Sequence, residues 1–477
     1  MDILKPDICV IGAGSGGLSV AAAAAAFGVP VVLIEKHRMG GDCLNTGCVP
    51  SKALLAAAQH AQTARDGEAF GVIARPQVDF LKVREHVRDT IAAIAPVDSA
   101  ERFTGLGVRV IKGEATFKNK RTVTVGDIEI RARRFVIASG STPALPPIPG
   151  LDGGPYLTNE TIFDLDALPR HLIVIGGGPI GLEMAQAFRR LGSQVTVVEA
   201  NRALAKDDPE AAAIVLDRLA REGIDIRSPA KVVSVDYAAN AVSLMVETGD
   251  GDQALRDRIE GTHLLVAAGR KPTVGGLGLD AARIKHDRGG IAVNGKLKTS
   301  NRRVYAIGDC AAGQLQFTHA ANYHAGLVLR GALFRLPVRV NNDAVPWVTY
   351  TEPELAQTGI SEATARHRGL KFRILRWPYH DNDRAQAERM AHGHIKVIVS
   401  TSGTILGATI VGAHAGELIA IWTLAIAQKL NIRTMAGIVL PYPTLSEIGK
   451  RAAIDSFTAS LTSPWVRRII AWLRVFG

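Results

Sequence analysis

Short, unbroken apolar runs alternate along most of the chain with longer segments of helical period. Asp7–Ile11 (DICVI) is such a run, of the kind that fits a strand covered on both faces of a parallel sheet. An Ala-rich segment reaching Phe27 predicts a helix, and Val31–Ile34 predicts the next buried strand. The same succession returns at His171–Ile175, followed by a helical segment and then Val195–Val198. Further apolar strands are predicted at Arg134–Gly140, His263–Ala268 and Val304–Ile307. Residues 53–95 predict two helices with a break near Gly71–Pro76, the first preceded by Pro50 in its opening turn. Val108–Ile130, rich in β-branched residues and with turn signals at Gly113, Asn119 and Gly126-Asp127, predicts a small meander. Composition shifts near Val345. Beyond it, His394–Val399 and Ile405–Val411 predict sheet strands, and Glu417–Leu430 a helix.

The loops between these elements carry chemistry. After the first strand comes G-x-G-x-x-G, with Gly12, Gly14 and Gly17, and the second strand ends at Glu35, 18 residues past Gly17. Glycines here let the backbone turn tightly and approach a pyrophosphate at a helix N-terminus, and the acid can accept from a ribose hydroxyl. Gly176, Gly178, Gly181 and Glu199 repeat the pattern at the same spacing. Two fingerprints imply two dinucleotides. Glu199 favours NADH, because a 2′-phosphate would meet like charge; the nearby Arg202 weakens that preference toward NADPH.

Between the two copies lies GGDCLNTGCVPSK, Gly40–Lys52, in which Cys43 and Cys48 are separated by four residues just before an Ala- and Leu-rich helix. The positive end of a helix lowers a thiol pKa, so the pair suits reversible redox chemistry. A structural disulfide or two packed small side chains fit the same spacing. The spacing does not match a zinc knuckle, and no metal site is expected.

This stretch, together with the motifs around it, resembles the active-site signature of the FAD-dependent pyridine nucleotide–disulfide oxidoreductases, a family that includes dihydrolipoyl dehydrogenase, glutathione reductase and mercuric reductase. The likeness runs from about Asp7 to about Ala453. It implies an α/β fold with two Rossmann-like dinucleotide-binding domains and a C-terminal α+β dimerisation domain. The expected divisions are 1–150 with 270–340 for FAD, 151–269 for NAD(P)H, 341–460 for the interface and 461–477 for a tail. The resemblance assigns FAD to the first fingerprint, with Lys36, Gly41, Lys52, Ala115, Ser139, Gly140 and Thr318 about it. Gly308-Asp309 resembles the second FAD motif, where the acid accepts from a ribityl hydroxyl. Gly269 opens a turn similar to GRxPN, with Thr273 in place of Asn. Glu183 is expected to pair with Lys52 beside the flavin. Electrons would pass from nicotinamide through flavin to a Cys43–Cys48 disulfide, with Cys48 on the flavin side and Cys43 attacking or ligating the acceptor. Cys310 is expected to be a packed small residue.

One departure bears on the acceptor. Disulfide-reducing members carry His-Pro-Thr-x-x-Glu near the C-terminus, the His serving as base from the partner subunit. Here the chain reads Tyr442-Pro443-Thr444-Leu445-Ser446-Glu447. A phenol, with a pKa near 10, is a poor base at neutral pH, and base assistance is worth about 10²–10⁴ in rate. Fast turnover of lipoamide or glutathione disulfide is therefore not expected. Tyrosine at this point is similar to mercuric reductase, whose C-terminal cysteine pair and N-terminal metal-binding domain have no counterpart in this sequence. The expectation is a homodimer in which Tyr442 and Glu447 orient a small-molecule or metal-ion acceptor, with dihydrolipoyl dehydrogenase as the alternative. A slow redox sensor or membrane-associated electron carrier is a second alternative.

Composition adds little to this. A chain of 477 residues with 47% hydrophobic and 5% aromatic content suits several α/β domains. Four cysteines and the absence of a basic, cleavable leader point to a cytoplasmic setting. The net charge of +11 comes with no nucleic-acid motif, and none is expected as a partner. The end of the chain, PWVRRIIAWLRVFG, spaces Trp465, Ile469, Trp472 and Phe476 three or four apart with Arg467, Arg468 and Arg474 off that stripe. It fits either a terminal helix packed on its own dimer or a peripheral membrane contact.

Overall fold

The structure, a computed structural model, describes residues 2–249, 254–458 and 463–476. Internal contacts divide the chain into two units, Met1–Asn201 with Gly223–Asn342, and Arg202–Glu222 with Asp343–Gly477.

The first unit is built on a five-stranded parallel sheet in the order Val304–Ala306, Arg134–Ile137, Ile8–Ile11, Val31–Glu35, Val108–Lys112. Alternate residues of each strand face opposite sides. Val10, Leu33 and Val136 join the apolar cluster beneath helices Ser15–Ala26 and Thr318–Ala332. Cys9, Ile11, Ile34 and Phe135 join the cluster on the other face, which Cys310 also enters, fully buried. Val108–Lys112 is thus a main-sheet strand and not part of a meander, since its partner Val31–Glu35 lies far off in sequence. The meander is confined to Thr116–Asn119, Thr122–Val125 and Ile128–Ile130, extended by Asp2–Leu4 pairing parallel to the last of these.

The second fingerprint lies on a four-stranded parallel sheet, in the order Asp225–Arg227, Gln194–Val198, His171–Ile175, His263–Val266. An antiparallel three-stranded sheet, Lys231–Ala238, Ala241–Thr248 and Leu255–Gly261, was not anticipated from the pattern. The predicted helix pair is found at Cys48–Asp66 and Phe80–Ile94. The first begins at Cys48, five residues ahead of Ala53, and Cys43 lies in a separate short helix, Gly41–Asn45.

The second unit is a five-stranded antiparallel sheet, Trp347–Thr349, Glu354–Gly359, Ile405–Gly412, His394–Ser400, Phe372–Pro378. Helices Ala415–Ala427, Ile432–Gly437 and Glu447–Asp455 share its core through Trp422, Ile419, Met435, Ile448 and Ala452. Helix Pro209–Arg221 belongs to this unit. Asp208 caps it and also receives Lys396 Nζ at 2.8 Å, with both side chains buried. Among the described residues no helix is long and apolar enough to cross a membrane.

Candidate active site: two glycine cradles and a thiol pair

The three glycines of each fingerprint have distinct steric tasks. A Cβ on Gly12, whose φ is +101°, would lie 2.4 Å from Ala138 O, and one on Gly17 would lie 1.9 Å from Gly12 O. Gly176 and Gly181 meet the equivalent obstacles, Ala267 O at 2.4 Å and Gly176 O at 2.0 Å. The middle glycine differs. A Cβ on Gly178 would meet nothing within 4 Å, and one on Gly14 only Gly41 Cα at 3.9 Å. Outer glycines therefore serve packing, and the middle one leaves room for a ligand. Gly14 and Gly178 are also the caps of helices Ser15–Ala26 and Pro179–Leu191, and neither cap supplies a side-chain hydrogen bond. The opening N–H groups of the first helix, from Ser15 on, and those of the second from Ile180 on, since Pro179 has none, thus face the cradles where an anion can bind.

The two acids are held alike. Glu35 Oε2 accepts from Ala13 N–H at 2.6 Å and Oε1 from His37 N–H at 2.8 Å. Glu199 accepts from Gly177 N–H at 2.7 Å and from Asn201 N–H at 2.8 Å. Each carboxylate ties its strand end to its glycine loop and keeps lone pairs for a ribose.

The thiol segment abuts the first cradle. Gly40 donates to Ala13 O at 3.0 Å, and a Cβ on Gly41 (φ +60°) would lie 2.6 Å from Gly14 Cα. Cys48 opens its helix, is exposed, and stands 3.4 Å from Thr318 Oγ1. Its pKa is lowered to about 6 by the hydrogen bond from the Cys43 thiol, the Thr318 hydroxyl and the charge of Lys52, against burial and the charge of Asp42. Cys43 moves the other way, held well above the ordinary thiol range by its bond to Cys48 and by burial. The opposite shifts favour negative charge on Cys48 and a proton on Cys43.

Lys52, one turn into the same helix, bonds Glu183 Oε2 at 2.7 Å, and Glu183 is buried in helix Pro179–Leu191. A further network was not read from the sequence. Ser141 donates to Asp309 Oδ2 at 2.6 Å, and Arg270 donates from Nε to Ser141 Oγ at 2.8 Å and from Nη1 to Asn159 Oδ1 at 3.2 Å. Asn159 Nδ2 in turn donates to Asp42 Oδ1 at 3.1 Å, beside Cys43. Burial raises the Asp309 pKa, opposed by the Ser141 bond and the Arg270 charge. The glycines at 140 and 269 and the Gly308-Asp309 motif gave local hints of this loop cluster; Gly140 and Gly269 have positive φ and open space at the Cβ position. Ser139 donates to Thr273 O at 2.7 Å and closes the same turn. Ala115 is buried in the sheet core, and Lys36 is exposed.

In the second unit, Tyr442 is exposed and its hydroxyl donates to Asp383 Oδ2 at 2.6 Å. That bond raises the phenol pKa further. Asn382 holds the same loop through Thr444 O at 3.0 Å. Glu447 is half-buried at the start of helix Glu447–Asp455, and its charge also acts to raise the phenol pKa. Among the described residues no group of three or more His, Cys, Asp or Glu is placed to hold a metal ion.

A dinucleotide cradle, a second cradle and a thiolate–thiol pair beside the first define a flavin-dependent disulfide oxidoreductase. The chain belongs to the pyridine nucleotide-disulphide oxidoreductase family, whose model matches residues 6–325 and whose dimerisation domain matches residues 345–453. Members of this family are FAD-dependent enzymes that use NAD(P)H. The chain is 34% identical over 455 residues to a mercuric reductase of Bacillus cereus, covering 94% of this chain and 71% of the relative. It is 36% identical over 452 residues to a dihydrolipoyl dehydrogenase of Thermus scotoductus, covering 92% and 95%. Among solved structures, LpdA of Mycobacterium tuberculosis aligns with a TM-score of 0.86 at 27% identity, covering 95% and 99%. The Cu(II) complex of an HOCl-induced flavoprotein disulfide reductase of Escherichia coli aligns with a TM-score of 0.82 at 26% identity, covering 96% and 100%.

Proposed function

We propose that the chain forms a homodimeric NAD(P)H-dependent reductase whose Cys43–Cys48 dithiol delivers two electrons to a thiophilic metal ion. Bound FAD supplies the hydride-accepting chemistry between nicotinamide and thiols. The chain's own groups do the rest. Gly12, Gly14, Gly17 and Glu35 hold FAD, with Gly41, Ser139, Gly140, Gly308 and Asp309 about it. Gly176, Gly178, Gly181 and Glu199 hold the nicotinamide dinucleotide. Thr318 and Lys52 keep Cys48 ionised, and Cys43 keeps its proton until a soft cation displaces it. In the oxidised enzyme the two sulfurs are joined, and two electrons with one proton return them to the thiolate–thiol state. Tyr442 of the partner subunit, held by Asp383, and Glu447 of the partner subunit orient the acceptor or its water.

The observation that carries this reading is the phenol at position 442, locked to a carboxylate, where a disulfide exchange needs a base. Soft thiolates suit a metal ion that needs no such base. The mercuric reductase relative and the Cu(II) complex of a structural neighbour support the same class of acceptor. Steady-state assays of the purified holoenzyme test it, with NADH or NADPH as donor and Hg²⁺, Cu²⁺, lipoamide, glutathione disulfide and quinones as acceptors. Metal-dependent oxidation of the nicotinamide, lost in Cys43→Ser, is expected. Turnover of dihydrolipoamide at tens per second or more, an ordinary enzyme rate, assigns the chain to dihydrolipoyl dehydrogenase instead.

A further inference from the structure

The last helix, Pro464–Leu473, continues as a short turn over Arg474–Phe476, and none of these residues is buried. At 100° per residue, Trp465, Ile469, Trp472, Leu473 and Phe476 fall within one stripe, and Val466 and Ile470 widen it. Trp465 is 72% exposed, Trp472 63% and Phe476 72%. Trp472 and Phe476 meet edge to face with ring centroids 5.0 Å apart, which leaves one continuous aromatic surface. Arg467 and Arg474 line one border of the stripe and Arg468 the other. Residues 463–477 contain no acidic side chain.

Three features argue for the occupant of this face. The helix lies outside residues 345–453, the part that matches the family's dimerisation domain. Both of its borders are basic, so pairing with the same helix of a second copy would set arginine against arginine. Its ten residues are far too few to span a bilayer, which needs about 20. Aromatic side chains on one face, arginines along both edges and no acid are what an anionic bilayer surface accommodates, the arginines reaching up to lipid phosphates while the rings enter the acyl boundary.

We infer that Pro464–Phe476 is a peripheral membrane anchor that docks the enzyme in the plane of an anionic lipid surface. The lipid contact stands whatever acceptor the enzyme uses. The test is flotation of the full-length holoenzyme with phosphatidylcholine vesicles that contain or lack phosphatidylglycerol, at low and high salt. The full chain is expected to float with phosphatidylglycerol vesicles at low salt, and a chain lacking 463–477 to stay behind while its flavin is still reduced by NADH. Arg467→Gln with Arg468→Gln should weaken binding roughly thirty-fold, at about 1 kcal/mol per arginine. Trp465→Ser with Trp472→Ser should abolish the component that survives high salt. Equal flotation with and without the tail overturns the inference. So does a full chain that never floats and a truncated chain that loses its dimer by light scattering, since the helix would then cover a second copy.

Discussion

Lys52 Nζ stands 2.7 Å from Glu183 Oε2, joining helices whose paired residues are 131 positions apart. Lys52 projects from the helix that Cys48 begins, and Glu183 from the helix that the second glycine cradle caps. The pair therefore ties the thiol helix to the helix of the second glycine cradle. Glu183 has 6% of its side chain exposed, so Lys52→Met takes an adjacent cation from a carboxylate with little access to water. Lys52→Met is expected to cost about 1–3 kcal/mol in denaturant unfolding, Lys52 being itself partly solvated. Lys52→Met with Glu183→Leu should recover part of that loss. A single Lys52→Met variant as stable as the parent would show that the pair contributes nothing to stability.

The thiolate makes a second prediction. With the Cys48 pKa lowered to about 6, the reduced enzyme should react with iodoacetamide at a rate that rises through pH 6 and then levels. Thr318→Val removes a hydroxyl that favours the charged sulfur, and Lys52→Met removes a favourable cation. Both changes raise the thiol pKa, so both profiles should shift to higher pH. Cys43→Ala removes the largest stabilising donor and should shift it as well. Unmoved profiles in all three variants would show that the thiolate owes nothing to these neighbours.

His324 gives the protein a titration of its own. It is fully buried, accepts from Gly308 N–H through Nδ1 at 3.2 Å, and finds no partner for Nε2 among the described residues. Burial lowers its pKa to about 4, from 6.5 in the unfolded chain. Between those values the unfolded chain binds the proton and the folded one does not. The contribution is full above about pH 6.5 and is lost as pH falls toward about 4. It should amount to roughly 3 kcal/mol, at about 1.36 kcal/mol per pKa unit. His324→Gln should flatten unfolding free energy against pH over that window, and an unchanged slope would place the titration elsewhere.

The two fingerprints were legible because each glycine has a task no other residue can perform. Gly12 and Gly176 pack against the carbonyls of Ala138 and Ala267, just past the ends of neighbouring strands, and Gly17 and Gly181 pack under their own loops. The Lys52–Glu183 pairing became visible only through the family resemblance, since nothing local marks a helix acid as buried. Val108–Lys112 was misplaced because strand partnership across many residues leaves no trace in the strand's own composition. The thiol helix begins at Cys48, which puts Pro50 in its first turn as its fixed φ suggests, although Gly47 supplies no side-chain cap. Asp383 lies 59 residues from Tyr442, and no periodicity connects them.

That last contact leads to the most discriminating substitution. The loop Pro441–Thr444 is pinned by Asn382 to Thr444 O and by Asp383 to the phenol. An imidazole at position 442 would inherit a carboxylate acceptor, which keeps one ring nitrogen protonated and the other free to act as a base. Tyr442→His is therefore expected to raise lipoamide reduction by about 10² or more. Adding Asp383→Asn should take back much of that gain by loosening the ring's orientation, while binding of FAD, read from flavin absorbance, stays the same. Metal-dependent oxidation of NAD(P)H should fall in Tyr442→His if the phenol helps to seat the cation. A Tyr442→His enzyme with no gain on lipoamide would show that a missing base is not what separates this chain from its disulfide-reducing relatives.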